Sequence, residues 1–304
     1  MRERVLMVLV ALAATGPVSA SAADRVACRD LERRFETQRG NLTALEINNL
    51  LFAAADRSCE ALIAPLIDGG ASPEARDREG NRALARAARA GSLAAVRLLL
   101  ERGAPVDARN IAGSTALYLA AERDREQAVE ILVAAGADVD LPGRSGARAL
   151  AAAAYNGAES AVAALLAHGA RADAADASGK TAAAYAAGAG WPRILARLIA
   201  AGADVNRDQG SGTSLLAWAA GPGDGVGEPQ AAETVRLLLE KGARLEEADE
   251  RGYTPLMVAA EGGRVEIARI LLAAGASRTA RGKDGKIAAD LARDTEFKQL
   301  LAPL

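Results

Sequence analysis

The sequence predicts an all-α repeat protein built from helix–turn–helix units about 33 residues long. Two glycine series and the composition carry that prediction. Glycine followed by alanine recurs at Gly70, Gly103, Gly136, Gly169, Gly202, Gly242 and Gly275, in steps of 33, 33, 33, 33, 40 and 33. A second series, Gly80, Gly113, Gly146, Gly179, Gly212, Gly252 and Gly285, keeps the same steps, including the one that is seven residues longer. Half of the 304 residues are apolar, yet only 3% are aromatic, and Ala and Leu make up the bulk. Alanine loses no side-chain entropy in a helix and lets neighbours approach closely, which suits thin helices packed in layers. Length alone would suggest two domains. A periodic chain grows instead by adding units, each packed on the one before.

The unit beginning at Asp249 shows the physical logic. Asp-Glu-Arg-Gly-Tyr is polar turn sequence, with Gly252 available for a positive φ. Thr254 and Pro255 then open a helix, Thr as N-cap and Pro at the first helical position. Leu256 to Ala260 continue it, Gly262-Gly263 stop it, and Val265 to Ala274 form a second helix with an apolar stripe. Gly275 follows where a left-handed C-cap is wanted.

These residues resemble the ankyrin repeat. Gly252-Tyr-Thr-Pro-Leu-Met-Val-Ala-Ala followed by Ile270-Leu-Leu-Ala-Ala-Gly-Ala is similar to its pattern, with Met257 in place of the usual histidine. Gly113-Ser-Thr-Ala-Leu-Tyr-Leu-Ala-Ala with Gly136-Ala-Asp-Val-Asp is a second match, and Gly202-Ala-Asp-Val-Asn ends a third unit. The resemblance covers about residues 44–304 and implies a solenoid of stacked helix pairs with short turn fingers. The units are expected at 44–76, 77–109, 110–142, 143–175, 176–208, 209–248 and 249–281, the sixth holding the insertion, with a capping repeat at 282–304 and a capping helix within 23–43. Gly80-Asn-Arg-Ala-Leu and Gly146-Ala-Arg-Ala-Leu lack the Thr-Pro opening, so their inner helices depend on stacking more than on caps. At the far end, Phe297, Leu300 and Leu301 could complete a shortened outer helix.

Residues 1–22 read as a signal peptide. Arg2 and Arg4 precede an apolar run, Val5 to Ala14, too short to span a bilayer. Gly16 and Pro17 break it, and Val18-Ser19-Ala20 and Ala20-Ser21-Ala22 both suit a signal peptidase. Cleavage would take the formal charge from −2 to about −3. No other stretch is apolar enough for a span, so no membrane association is expected after cleavage. In an oxidising compartment Cys28 and Cys59 are most simply read as a disulfide pinning the first helix to the stack, two separate buried thiols being the alternative.

The chemistry of other classes is missing from the sequence. A net charge of −2 and a pI of about 5.7 leave no basic surplus for nucleic acid. One histidine, His168, sits in the last turn of an outer helix, where it complements the helix dipole. Two cysteines and a distant histidine lack metal-ligand spacing, and neither cysteine has a base nearby. Asp204-Val-Asn-Arg-Asp-Gln-Gly has its glycine one place late for a calcium loop, and Leu215 stands where the glutamate belongs. Gly221 to Pro229 supplies the seven extra residues but no phosphate fingerprint, and is expected as a mobile loop at the rim. Trp218 reads as core, while the position of Trp191, after an inter-helix glycine, assigns it no role. No catalytic residue, cofactor or metal is therefore expected.

What the resemblance implies is protein binding on the concave face, by turn tips and the free side of the inner helices. Carried onto this sequence, the tip positions are Arg78, Glu79, Asn81, Ile111, Ser114, Arg144, Lys180, Arg251 and Tyr253. The inner-helix positions are Arg89, Glu122, Arg123, Tyr155, Asn156 and Glu261. Tyr and Arg suit interfaces through contact area and planar hydrogen bonding. The expected molecule is a monomeric, exported, bacterial periplasmic protein that binds another exported protein. It would serve as an inhibitor or immunity-type partner of an enzyme, or as its helper. Two alternatives stay open: a small-ligand binder or enzyme with 221–229 as a lid, and an envelope scaffold without one partner.

Overall fold

The computed structural model describes residues 22–221, 223 and 225–303; the stretch 1–22 expected as a signal peptide lies outside them except for Ala22. Among these residues the chain is all-helical, with 17 helices and no strand. Its contacts divide it into two units. The first comprises residues up to 144 with 148–153 and 160–170; the second comprises 145–147, 154–159 and 171 onward.

In the first unit, α1 (Ala22–Gln38) packs on the pair α2 (Ala44–Asp56) and α3 (Glu60–Asp68). Next come α4 (Ala83–Ala90) with α5 (Leu93–Glu101) and α6 (Ala116–Glu122) with α7 (Glu126–Ala134). The start of α8 (Ala149–Asn156) and α9 (Glu159–Ala167) complete it. The N-terminal helix acts as a lid on the first layer. Phe35 is fully buried, and a Cβ on Gly69 would stand 3.1 Å from its Cζ and 3.2 Å from Ile47 Cδ1. A disulfide joins Cys28 of α1 to Cys59, just before α3. Thr43 and Glu46 form a reciprocal capping box that starts α2.

In the second unit the pairs are α10 (Ala182–Gly188) with α11 (Pro192–Ala200), α12 (Leu215–Ala220) with α13 (Glu228–Glu240), and α14 (Pro255–Glu261) with α15 (Val265–Ala273). The short α16 (Ala288–Leu291) and α17 (Thr295–Leu301) end the chain, with Phe297 and Leu301 buried. The seven extra residues separate α12 from α13, within the sixth repeat.

One leucine per outer helix fixes the core: Leu66, Leu99, Leu132, Leu165, Leu198, Leu238 and Leu271 are all fully buried. Each contributes about 1.5–3 kcal/mol of transfer free energy. The capping logic also operates. Thr115 accepts from the Tyr118 N–H at 3.2 Å, and Thr254 from the Met257 N–H at 3.4 Å with Pro255 next to it. Arg82, which opens α4 in place of a threonine, makes no side-chain cap bond.

The tips are joined to one another by backbone hydrogen bonds. Ile111 N–H donates to the Glu79 carbonyl, Ala177 to Ser145, Glu250 to Ser211 and Lys283 to Arg251, at 2.9–3.1 Å. This close approach explains the second glycine series up to Gly252; at Gly285 nothing stands within 4 Å. Gly146 has φ +79°, and a Cβ there would lie 2.7 Å from the Ala177 nitrogen. The first series has another cause: Gly169, for example, has φ +83° with nothing within 4 Å, so only its left-handed backbone requires glycine.

Candidate functional site

The second unit carries an open groove of about 790 Å³, lined by turn tips, the inner helices α10, α12 and α14, and the loop between α12 and α13. Aromatic side chains give it its character. Tyr185 and Trp218 are 33 residues apart, and Val258 follows after 40, so the three hold the same position in successive repeats and form a row in the lining. Tyr155 meets Tyr185 edge to face, with ring centroids 6.0 Å apart. Trp191 donates from Nε1 to the Tyr155 carbonyl at 3.1 Å, which holds its indole against the end of α8. That placement depends on Gly157, where a Cβ would fall 2.6 Å from Trp191 Cζ2. Both tryptophans of the chain thus line one groove.

Trp218 departs from the sequence expectation. It is half-buried and lines the groove, because the residues packed inward from α12 are Leu215, Leu216, Ala217, Ala219 and Ala220. Part of the insertion contributes to the groove: Gly223 and 225–227 are among its lining residues. A Cβ on Gly190 would stand 2.5 Å from Val226 Cγ1, and Arg264 Nη1 donates to the Val226 carbonyl at 3.1 Å.

The charges are mostly satisfied within the unit. Asp249 accepts from the backbone N–H groups of Arg251 and Tyr253 and from Arg251 Nε, each at 2.9 Å. Arg251 Nη1 then pairs with Glu261 Oε2 at 2.9 Å. Burial pushes the Asp176 carboxyl up. Hydrogen bonds from the Tyr185 hydroxyl, the Ser178 hydroxyl and N–H, and the Lys180 N–H outweigh this and hold it below the usual carboxylate range. Lys180 Nζ lies 4.7 Å from the Trp218 ring centroid and 5.9 Å from that of Tyr185, a cation bounded by two π faces.

Of the binding positions read from the sequence, the groove gathers Tyr155, Asn156, Lys180, Arg251 and Glu261. Arg78 and Glu79 line a separate cavity of about 760 Å³ in the first unit, with Leu45, Phe52, Asp56 and Arg86. Arg89, Ile111, Ser114, Glu122, Arg123 and Arg144 line neither, although Ile111 is 65% exposed. Two positions are corrected. Asn81 is buried, donating to Glu79 Oε2 at 2.9 Å and accepting from Asn110 Nδ2 at 2.8 Å. Tyr253 is buried as well; its hydroxyl donates to Asp284 Oδ2 at 2.9 Å and its ring lies under the Arg251 guanidinium. In both, a polar end reaches the neighbouring repeat and draws the side chain inward.

Other sequence features have structural partners. His168 Nε2 is 2.6 Å from Glu130 Oε2. The Asp204 N–H donates to Asp173, and Asn206 bridges to the Gly242 carbonyl and the Arg244 N–H, so the calcium-like stretch links repeats.

The family described as "Ankyrin repeats (3 copies)" matches residues 50–143, 140–209 and 192–281, well over half of the chain. The chain belongs to the ankyrin-repeat family. Among curated proteins, Protein phosphatase 1 regulatory subunit 27 of Mus musculus is 44% identical over 69 residues. The Homo sapiens protein of the same name is 42% identical over the same length. The match takes in 23% of this chain and 44% of each relative, under half their length.

Ankyrin register also shows how the missed residues could have been found. Tyr185, Trp218, Trp191, Val226 and Gln230 line the groove but were not among the sequence candidates. Aligning the repeats puts Tyr185 and Trp218 in one column whose member in the preceding repeat is Ala152. An aromatic pair confined to two adjacent repeats signals a local surface. Val226 and Gln230 leave no such mark, because the insertion has no counterpart in the other repeats.

Proposed function

We propose that this ankyrin-repeat chain is an exported, non-catalytic, monomeric scaffold that binds one other exported protein through the groove of its second unit. The single observation that supports this most is the convergence of four aromatic side chains, Tyr155, Tyr185, Trp191 and Trp218, on one groove in a chain that is only 3% aromatic. Large, stiff aromatics supply contact area at low entropic cost and are enriched at interface centres. The relatives are named as regulatory subunits of a phosphatase, which accords with action on an enzyme. On this reading the protein is an inhibitor, immunity-type partner or helper of an enzyme in the periplasm, where the Cys28–Cys59 bond is maintained.

Two measurements test it. Residues 1–22 fused to a reporter active only after export should direct it across the membrane, and retention inside would refute the export part. A partner captured from periplasmic extract, then purified, should bind the full chain directly in calorimetry. It should lose that binding with Tyr155→Ala and Trp191→Ala together. Unchanged affinity in the double variant would remove the groove from the reading.

A second reading has an observation of its own. A volume of about 790 Å³ with an aromatic lining lies within the range of small-molecule sites. Deleting residues 222–226 would abolish small-molecule binding that needs the Val226 wall. A protein interface resting on Tyr155 and Trp191 would survive that deletion.

A further inference from the structure

Among the described residues the groove contains one cation with no carboxylate beside it, and this indicates what its occupant must carry. Four charged side chains among the described residues line it: Lys180, Asp249, Arg251 and Glu261. Asp249 is taken up by two backbone N–H groups and Arg251, and Arg251 by Asp249 and Glu261. Asp176, the acid nearest in sequence, is taken up by Tyr185, Ser178 and the Lys180 N–H. Among the described residues no carboxylate stands within 4.0 Å of Lys180 Nζ. The ammonium lies between the Trp218 and Tyr185 rings, which hold it in place but cannot accept its protons as an oxygen would. Trp218 Nε1 is likewise buried without a hydrogen-bond partner among the described residues. The same groove offers apolar surface as well, with Tyr155 and Trp191 both exposed and Val226 also in the lining.

We propose that the occupant is an acidic peptide segment of the partner, an extended stretch whose Asp or Glu carboxylate pairs with Lys180 while a neighbouring apolar side chain packs on Tyr155 and Trp191. This rests on the groove being the binding site and adds the chemistry of what enters it. Charge complementarity carries the choice. A basic segment would meet an ammonium with no acid beside it among the described residues, and a wholly apolar one would leave Lys180 desolvated and unpaired.

The test uses the full mature chain with its disulfide intact and a random peptide library displayed on phage. Enriched peptides are then synthesised and titrated, with tryptophan emission as readout, since both tryptophans line the groove. The expected result is enrichment of Asp or Glu next to an apolar residue. The amide version of the peptide and the Lys180→Gln variant should each bind about tenfold more weakly. Lys180→Arg should restore most of the affinity, and Arg293→Ala, an exposed site in the C-terminal cap, should change nothing. Enriched peptides without acidic bias that still lose binding in Tyr155→Ala would overturn the carboxylate and leave the groove standing. Peptides that bind Tyr155→Ala and Trp191→Ala normally would overturn the groove itself. Failure to enrich any sequence would count against both.

Discussion

Gln209 and Thr181, 28 residues apart, form a buried double hydrogen bond between successive repeats. The Thr181 hydroxyl donates to Gln209 Oε1 at 2.7 Å and the Thr181 N–H donates to the same oxygen at 3.1 Å. Both residues are about 1% exposed, so no solvent can replace the acceptor. Thr181 therefore opens α10 without a side-chain cap bond of its own, its hydroxyl being turned to a glutamine of the next repeat. Gln209→Leu should leave two buried donors unmet and lower stability by about 2–4 kcal/mol. Urea unfolding followed by far-UV circular dichroism would measure it, and a loss under about 0.5 kcal/mol would mean the pair contributes little.

Gly146 and Gly169 separate two reasons for glycine. Each has a positive φ, but only Gly146 faces the backbone of another tip, at Ala177. Gly169→Ala should cost about 1–2 kcal/mol, the strain of a left-handed alanine. Gly146→Ala should cost more, since the tip-to-tip bond from Ala177 to Ser145 must also lengthen. Equal midpoints in parallel denaturation curves would show that the tips yield freely.

Acid should weaken the fold through two carboxyls. Burial raises Asp77, but bonds from the Arg86 guanidinium, from Asn81 and from the Glu79 N–H lower it more; Asp176 behaves alike through Tyr185, Ser178 and Lys180. Both end below the ordinary carboxylate value of about 3.9. Their stabilisation is thus complete above that pH and lost as pH falls through the lowered folded-state values. Melting temperatures measured at decreasing pH should drop there. The double variant Asp77→Asn, Asp176→Asn should start lower and show a shallower drop. A wild-type-like slope in that variant would assign the acid sensitivity to other groups.

Reduction should act at one end of the chain. The Cys28–Cys59 bond spans 31 residues, a loop whose closure contributes about 3–4 kcal/mol in the chain-entropy model. Hydrogen exchange in reductant should therefore speed up in α1, α2 and α3. Exchange in α14 and α15 should stay unchanged, because each repeat is stabilised chiefly by its neighbours. Faster exchange along the whole chain would indicate that the capping helix supports every repeat.

The architecture was legible because repetition multiplies weak signals. Gly252, Thr254, Pro255 and Gly275 each suggest a turn, a cap or a stop, and their recurrence at a fixed step turns those suggestions into a fold. The candidate site was legible only in part. Tyr155, Lys180, Arg251 and Glu261 could be placed by register, whereas Asn81 and Tyr253 were expected at the surface and are buried. Register gives the side of the repeat on which a residue stands, and not whether a neighbour's Asn110 or Asp284 will draw it inward.

By itself the sequence determined the period, the helix pairs, the place of the seven-residue insertion and the even pair of cysteines, because each depends on local backbone preference or on counting. Only the tertiary structure decided that Trp218 lines a groove, that Val226 walls it, and that Lys180 stands between two rings with no acid beside it among the described residues. These follow from side chains of different repeats meeting across tens of residues of chain. Such meetings depend on packing, which no single repeat specifies alone.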